Sequence, residues 1–280
     1  MSCGGKQSET TQTETTASSE NATTEEAKLK TYKDFLNTLD TTNLASSSKA
    51  GEEFQKLFAN TDSEINDSAY SLFRDFHERM IMPQQNIIDK DNNSYAGIFG
   101  GVEVSKKVAE HQSTLQKNGF NLNQTEGYVY IEASYEFQKK YVFDRLSPAM
   151  QSYFNQSQKE IAEGTASDGG LIVEPKILAE RVIFWEEFLK KYPNFRWKRE
   201  VIFEVSSLNN MLFNGLDNTR AFDYETQKLN AAYQEAYNFL MKSEAETQAK
   251  KMLSEYYPIL LKNKMKDSPQ AQAYREKLKN

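Results

Sequence analysis

AERVIFWEEFLKKYPNFRWKREVIFEV, residues 179–205, decides how this chain folds. Before the break, Leu178, Val182, Trp185, Phe188 and Leu189 recur at helical spacing, behind a proline at 175 suited to a first helical turn. The tetrapeptide KYPN (191–194) stops that helix, because proline has no amide hydrogen and disfavours a helical residue before it. After the break, Val201, Val205, Leu208 and Leu212 mark a second stripe over about 196–213, closed by Gly215. Two apolar stripes joined by a tight stop must bury their faces on each other or on further helices.

The same rhythm runs outward in both directions. Towards the C-terminus, a loop GLDNTRAFD (215–223) leads to a helix over 224–242 carrying Leu229, Tyr233, Tyr237 and Leu240. Ser243 and Glu246 have capping-box spacing ahead of a last long helix with Ala249, Met252, Leu253, Tyr256 and Leu260. The charged tail beyond Lys264 is expected to fray. Towards the N-terminus, GTASDGG (164–170) reads as a hinge and a soft boundary. Before it, Ser147–Pro148 opens a helix reaching about Glu163, and Tyr135–Asp144 reads as helical. A helix over 102–118 aligns Val104, Val108, His111 and Leu115. Another over 62–81 aligns Ile65, Ala69, Leu72, Phe73, Phe76 and Met80, with Thr61 and Glu64 as its capping pair. Residues 41–51 (TTNLASSSKAG) read as a break before a short helix at Phe54, Leu57 and Phe58. Residues 85–101 read as turns, and Glu26–Leu39 as a helix. GYVYIEAS (127–134) is the one alternating, strand-like run, expected to be extended.

The expected fold class is therefore all-α: an irregular helical bundle or helical hairpins. It divides into a disordered tether (1–26), an N-terminal helical region (27–163) and a C-terminal helical-hairpin region (171–280). The composition agrees, with 17 Phe and 15 Tyr against 12 Gly and 6 Pro. A net charge of −6 argues against nucleic acid as a partner, since phosphate binding needs a basic face. One cysteine forms no internal disulfide, and two histidines fall short of a structural zinc site. No cofactor is expected.

The chain opens MSCGGKQSETTQTETTASSENATTEE, and from Ser2 to Glu26 it holds no aromatic residue, Leu, Ile, Val or Met. Such a segment buries too little surface to offset its ordering entropy. The Ser2–Cys3–Gly4–Gly5 junction resembles the acylated start of bacterial envelope lipoproteins of the Bacteroidetes type. The resemblance implies lipidation at Cys3, a membrane partner reached through that lipid, and an outer-membrane address. The stretch quoted first resembles the helical hairpins of tetratricopeptide-like envelope lipoproteins, and AAYQEAYNFLMKSEAETQAKKMLSEYY (231–257) resembles a degenerate second copy.

Chemistry-bearing motifs are sparse. Asp89, Asp91 and Asn93 stand at the first, third and fifth positions of a calcium-type loop, but Ser94 replaces the glycine at the sixth and Gly100 the glutamate at the twelfth. A plain polar turn explains them as well. His77 and His111 sit on or beside apolar helix faces and are expected to be packed. No catalytic residue is assigned. Among 40 acidic residues, the carboxylate pairs Glu186–Glu187 and Asp217–Asp223 offer an acid and a base of the glycosidase kind, while a solvated helix face opposite Trp185 explains the first pair better. Tyr128, Tyr130, Tyr135 and Trp197 are the candidate aromatic contacts for a ligand. The expected job is non-enzymatic: an accessory, scaffold, or protein- or glycan-binding lipoprotein. An envelope hydrolase with dispersed acidic residues is the first alternative, and a cytosolic helical protein without lipid the second.

Overall fold

The computed structural model describes the backbone of residues 13–278 and the side chains of 24–278. The fold is all-α, with two short antiparallel strand pairs. The chain forms two compact units, Met1–Phe154 and Asn155–Asn280, so the segment 164–170 falls inside the second. Among the described residues no helix is long and apolar enough to cross a membrane.

The first unit starts with α1 (Thr13–Thr38), α2 (Ala45–Leu57) and α3 (Ser63–Arg79). Cys3 and the first part of the expected tether lie outside the described residues; from Thr13 the backbone is helical. Extending a helix already held by the buried Tyr32 and Leu36 requires no new nucleus. The break expected at 41–51 is helical from Ala45. Its small residues are the reason: Ser46, Ser47, Ala50 and Gly51 are buried and let α2 pack closely. A Cβ on Gly51 would stand 2.5 Å from the Tyr141 ring. In α3 the cap is Asp62, which accepts from the Glu64 amide at 2.8 Å, rather than Thr61.

The turn-rich stretch 85–101 is partly helical, in α4 (Ile81–Asp89) and α5 (Asn92–Ala96). Pro83 sits in the first turn of α4, where its missing amide hydrogen costs nothing. Then come α6 (Lys106–Lys117), β1 (Phe120–Thr125), β2 (Tyr128–Ala133) and α7 (Tyr135–Val142). The extended run at 127–134 has a partner after all: β1 pairs with β2 in the register Phe120↔Ala133 to Thr125↔Tyr128. Glu126 and Gly127, both at positive φ, make the connecting turn.

α8 (Pro148–Glu163) carries the division between the units. The second unit continues with β3 (Ala166–Ser167), β4 (Gly170–Leu171), α9 (Pro175–Lys191), α10 (Lys198–Asn214), α11 (Ala231–Lys242), α12 (Gln248–Lys262) and α13 (Pro269–Leu278). α9 packs against both α10 and α11, and α11 against α12. Phe188 is the aromatic hub, with Trp185, Tyr192 and Phe195 rings 4.9–5.6 Å from its own. The tail beyond Lys264, expected to fray, is docked. Arg275 of α13 pairs bidentately with Asp267 (2.8 and 3.0 Å), and Tyr274 stacks on Tyr256 at 5.4 Å. Such a fork is hard to see in sequence because neither partner lies on an apolar stripe.

Candidate functional site

In the first unit the candidate residues are engaged in structure. Gln85, buried on α4, accepts from the Ile131 amide (3.0 Å) and donates to the Val129 carbonyl (2.9 Å). Asn92 of α5 accepts from the Val129 amide (2.8 Å) and donates to the Gly127 carbonyl (2.9 Å). Two side-chain amides thus occupy the free edge of β2 as a third strand would. Tyr128, 47% exposed, donates to Asp89 at 3.1 Å, and Gln85 donates to the same carboxylate at 2.8 Å. Asp91 accepts from Ser94 at 2.7 Å. Asp89 therefore braces the hairpin, and Asp91 turns the chain into α5. Among the described residues no three His, Cys, Asp or Glu side chains are grouped to hold a metal ion.

Tyr130 is half-buried, and burial with Glu132 nearby raises its pKa. Tyr135 packs edge-on against Phe154 at 5.0 Å. Trp197, in the second unit, is 8% exposed and lies 6.2 Å from the Phe195 ring, inside the core. The three tyrosines stand in the first unit and Trp197 in the second, so the four are not one platform within either unit.

Both histidines are held. His77 is buried between the rings of Phe73, Phe120 and Phe137 at 4.2–5.8 Å. Its Nε2 donates to the Asn118 carbonyl and its Nδ1 accepts from Gln138, each at 3.4 Å. Burial pushes its imidazole down to about 4. His111 Nδ1 accepts from Tyr95 at 2.7 Å, and its Nε2 donates to Gln84 at 3.3 Å.

The carboxylate pairs separate into structural roles. Glu186 is buried and accepts from the amides of Gln248 and Ala249 (3.0 Å for the latter), which satisfies the N-terminus of α12. Burial raises its pKa, opposed by those two bonds. Glu187 pairs with Lys190 at 2.7 Å on the surface. Asp223 accepts from the amide and hydroxyl of Thr226 (2.7 and 2.6 Å), which lowers its pKa. Asp217 stands at a loop pocket described below.

The open hollows of the second unit were not foreseen. One, about 690 Å³, is lined by Glu186 and Leu189 of α9, Val205 and Asn209 of α10, and Thr247, Gln248, Lys251 and Ser254 at the start of α12. A second, about 370 Å³, shares Val205 and Asn209 and continues past Ile202, Ser206 and Phe213. Positions 202, 205, 206, 209 and 213 follow helical spacing, so one face of α10 lines a continuous trough. Asn209 Oδ1 is a buried acceptor with no hydrogen-bond partner among the described residues. Lys190, Lys250 and Lys251 stand at one end. The signal was partly visible in sequence: Asn209 interrupts the stripe of Val205, Leu208 and Leu212.

The third hollow, about 520 Å³, is built by the loop after α10 against α13. Gly215, at φ +74°, makes its tight corner, where a Cβ would meet the Ala221 amide at 2.4 Å. Asn218 ties the loop to the β3–β4 turn through the Gly169 carbonyl at 2.8 Å, and Thr219 receives the Leu171 amide at 2.9 Å. Comparison of the chain with family models, with curated proteins and with solved structures gives no match.

Proposed function

We propose that this chain is a non-enzymatic accessory or scaffold protein of the bacterial cell envelope, held at the outer membrane by lipid on Cys3, that binds an extended segment of a partner protein in the trough along α10. The anchor rests on the Ser2–Cys3–Gly4–Gly5 junction. The binding mode rests on one observation: Asn209, on a mixed trough wall with Val205, Ser206 and Phe213, carries a side-chain acceptor left unpaired among the described residues. A buried polar atom left unpaired costs about 1–3 kcal/mol, and a turn of the Asn209 side chain towards a ligand N–H in the trough removes that cost. An extended segment presents free backbone N–H groups there, whereas a helix has already used its own. Lys190 and Lys250 are paired with Glu187 and Glu246, and Lys251 beside them favours an acidic residue in the bound segment.

Peptides tiled from envelope proteins, titrated against the intact chain, test this reading. Acidic–apolar peptides should bind, and Ser206→Trp, which fills the trough from an exposed position of α10, should weaken them at least tenfold with the melting temperature unchanged. Peptide binding that Ser206→Trp leaves untouched would exclude the trough.

A further inference from the structure

The loop pocket between α10 and α13 has a different chemistry from the trough. Its floor is a shielded ion pair: Arg275 holds Asp267 bidentately, donates to the Tyr256 hydroxyl oxygen (2.7 Å) and lies 4.7 Å over the Phe222 ring. Every strong partner there is taken, so the floor is rigid rather than reactive. The rim is the reverse. Tyr224 is 73% exposed, and the Arg220 guanidinium lies over its ring at 5.1 Å. Arg220 Nε donates to the Asp217 carbonyl at 3.1 Å, which aims the fork. Its terminal nitrogens, the Asp217 carboxylate and the Tyr224 hydroxyl have no hydrogen-bond partner among the described residues. Gln227, at φ +58°, donates to the Tyr224 carbonyl at 2.6 Å and holds the tyrosine in place.

The rim therefore presents a guanidinium donor, a carboxylate acceptor, a phenol that does both, and the face of the exposed Tyr224 ring opposite that guanidinium. Opposite charges on one rim do not select a simple anion or cation, since each would meet one repulsive neighbour. They do match a ring of hydroxyl groups, each both donor and acceptor, whose C–H face lies flat on an aromatic ring. The volume falls in the range of small-molecule sites, about 300–1,000 Å³. The loop is pinned before any ligand arrives, which lowers the ordering cost of weak polar contacts. We infer that this pocket is a saccharide-binding site, with Tyr224 as the stacking platform and Arg220 and Asp217 as the hydroxyl-reading pair. It adjoins the trough at Asn214 but draws its reading groups from the loop alone, and it stands or falls independently of the trough.

Calorimetric titration of the intact chain tests the inference with a panel of neutral, amino- and acidic mono- and disaccharides, and with succinate and citrate as sugar-free anions. A saccharide should bind, and Tyr224→Ala and Arg220→Ala, both at exposed positions, should each weaken it at least tenfold. Ser206→Trp should leave that affinity unchanged. Three results would each overturn the proposal: no saccharide binding, saccharide binding equal in wild type and both rim variants, or succinate or citrate binding that depends on Arg220 while no saccharide binds.

Discussion

At the residue scale, His77 shows how burial decides a role. An imidazole among three aromatic rings, with both nitrogens occupied, is held neutral. Its ordinary value near 6.5 falls to about 4 in the fold. Between those pH values the unfolded chain binds a proton that the folded chain refuses, so stability rises with pH across the window. The loss on acidification from pH 6.5 to 4 amounts to about 3 kcal/mol. Urea unfolding at pH 4.5 and 7 should show this slope in the wild type, and His77→Phe should flatten it. An unchanged slope in the variant would assign the acid sensitivity to other groups. Glu160 and Glu204 have the opposite sign. Burial raises both, beside a buried Arg181 that donates to Thr165, Gly164 and Glu163, so they favour the fold towards lower pH.

At the element scale, the β1–β2 hairpin is the exception that needs explaining in a helical protein. An isolated two-stranded hairpin is marginal in water. Here its second strand is bounded by helices α4 and α5, whose Gln85 and Asn92 amides take the edge hydrogen bonds. The same contacts deny that edge to another chain. Gln85→Leu keeps much of the volume but leaves the Ile131 amide and the Val129 carbonyl unpaired. It should cost about 1–3 kcal/mol, and amide exchange at Ile131 should accelerate more than exchange in α9. Uniform acceleration in both places would indicate a global loss and not a hairpin edge released from its cap.

At the scale of the whole molecule, two compact units each carry a core of their own, and Cys3 lies outside the described residues. With the gene expressed from its own locus, alkyne-palmitate should label the wild type and not Cys3→Ala; equal labelling, or none in either, would remove the anchor. Much of the architecture was legible from residues alone. The stripe Leu178–Leu189, the stop at KYPN, the second stripe ending at Gly215, and the Ser147–Pro148 start of α8 all lie where local spacing and backbone chemistry place them. Those signals are local, carried by residues within a few turns of each other. The helix hidden in LASSSKAG was not legible, because its reason is Tyr141 packing on Gly51, ninety positions away in sequence. The burial of Trp197, the docking of α13 by Arg275 and Asp267, and the capping of α12 by Glu186 belong to the same class. So do both candidate sites. Periodicity shows which face of a helix is apolar, but only the packed structure decides which stretch of that face stays open and which polar group is left facing it.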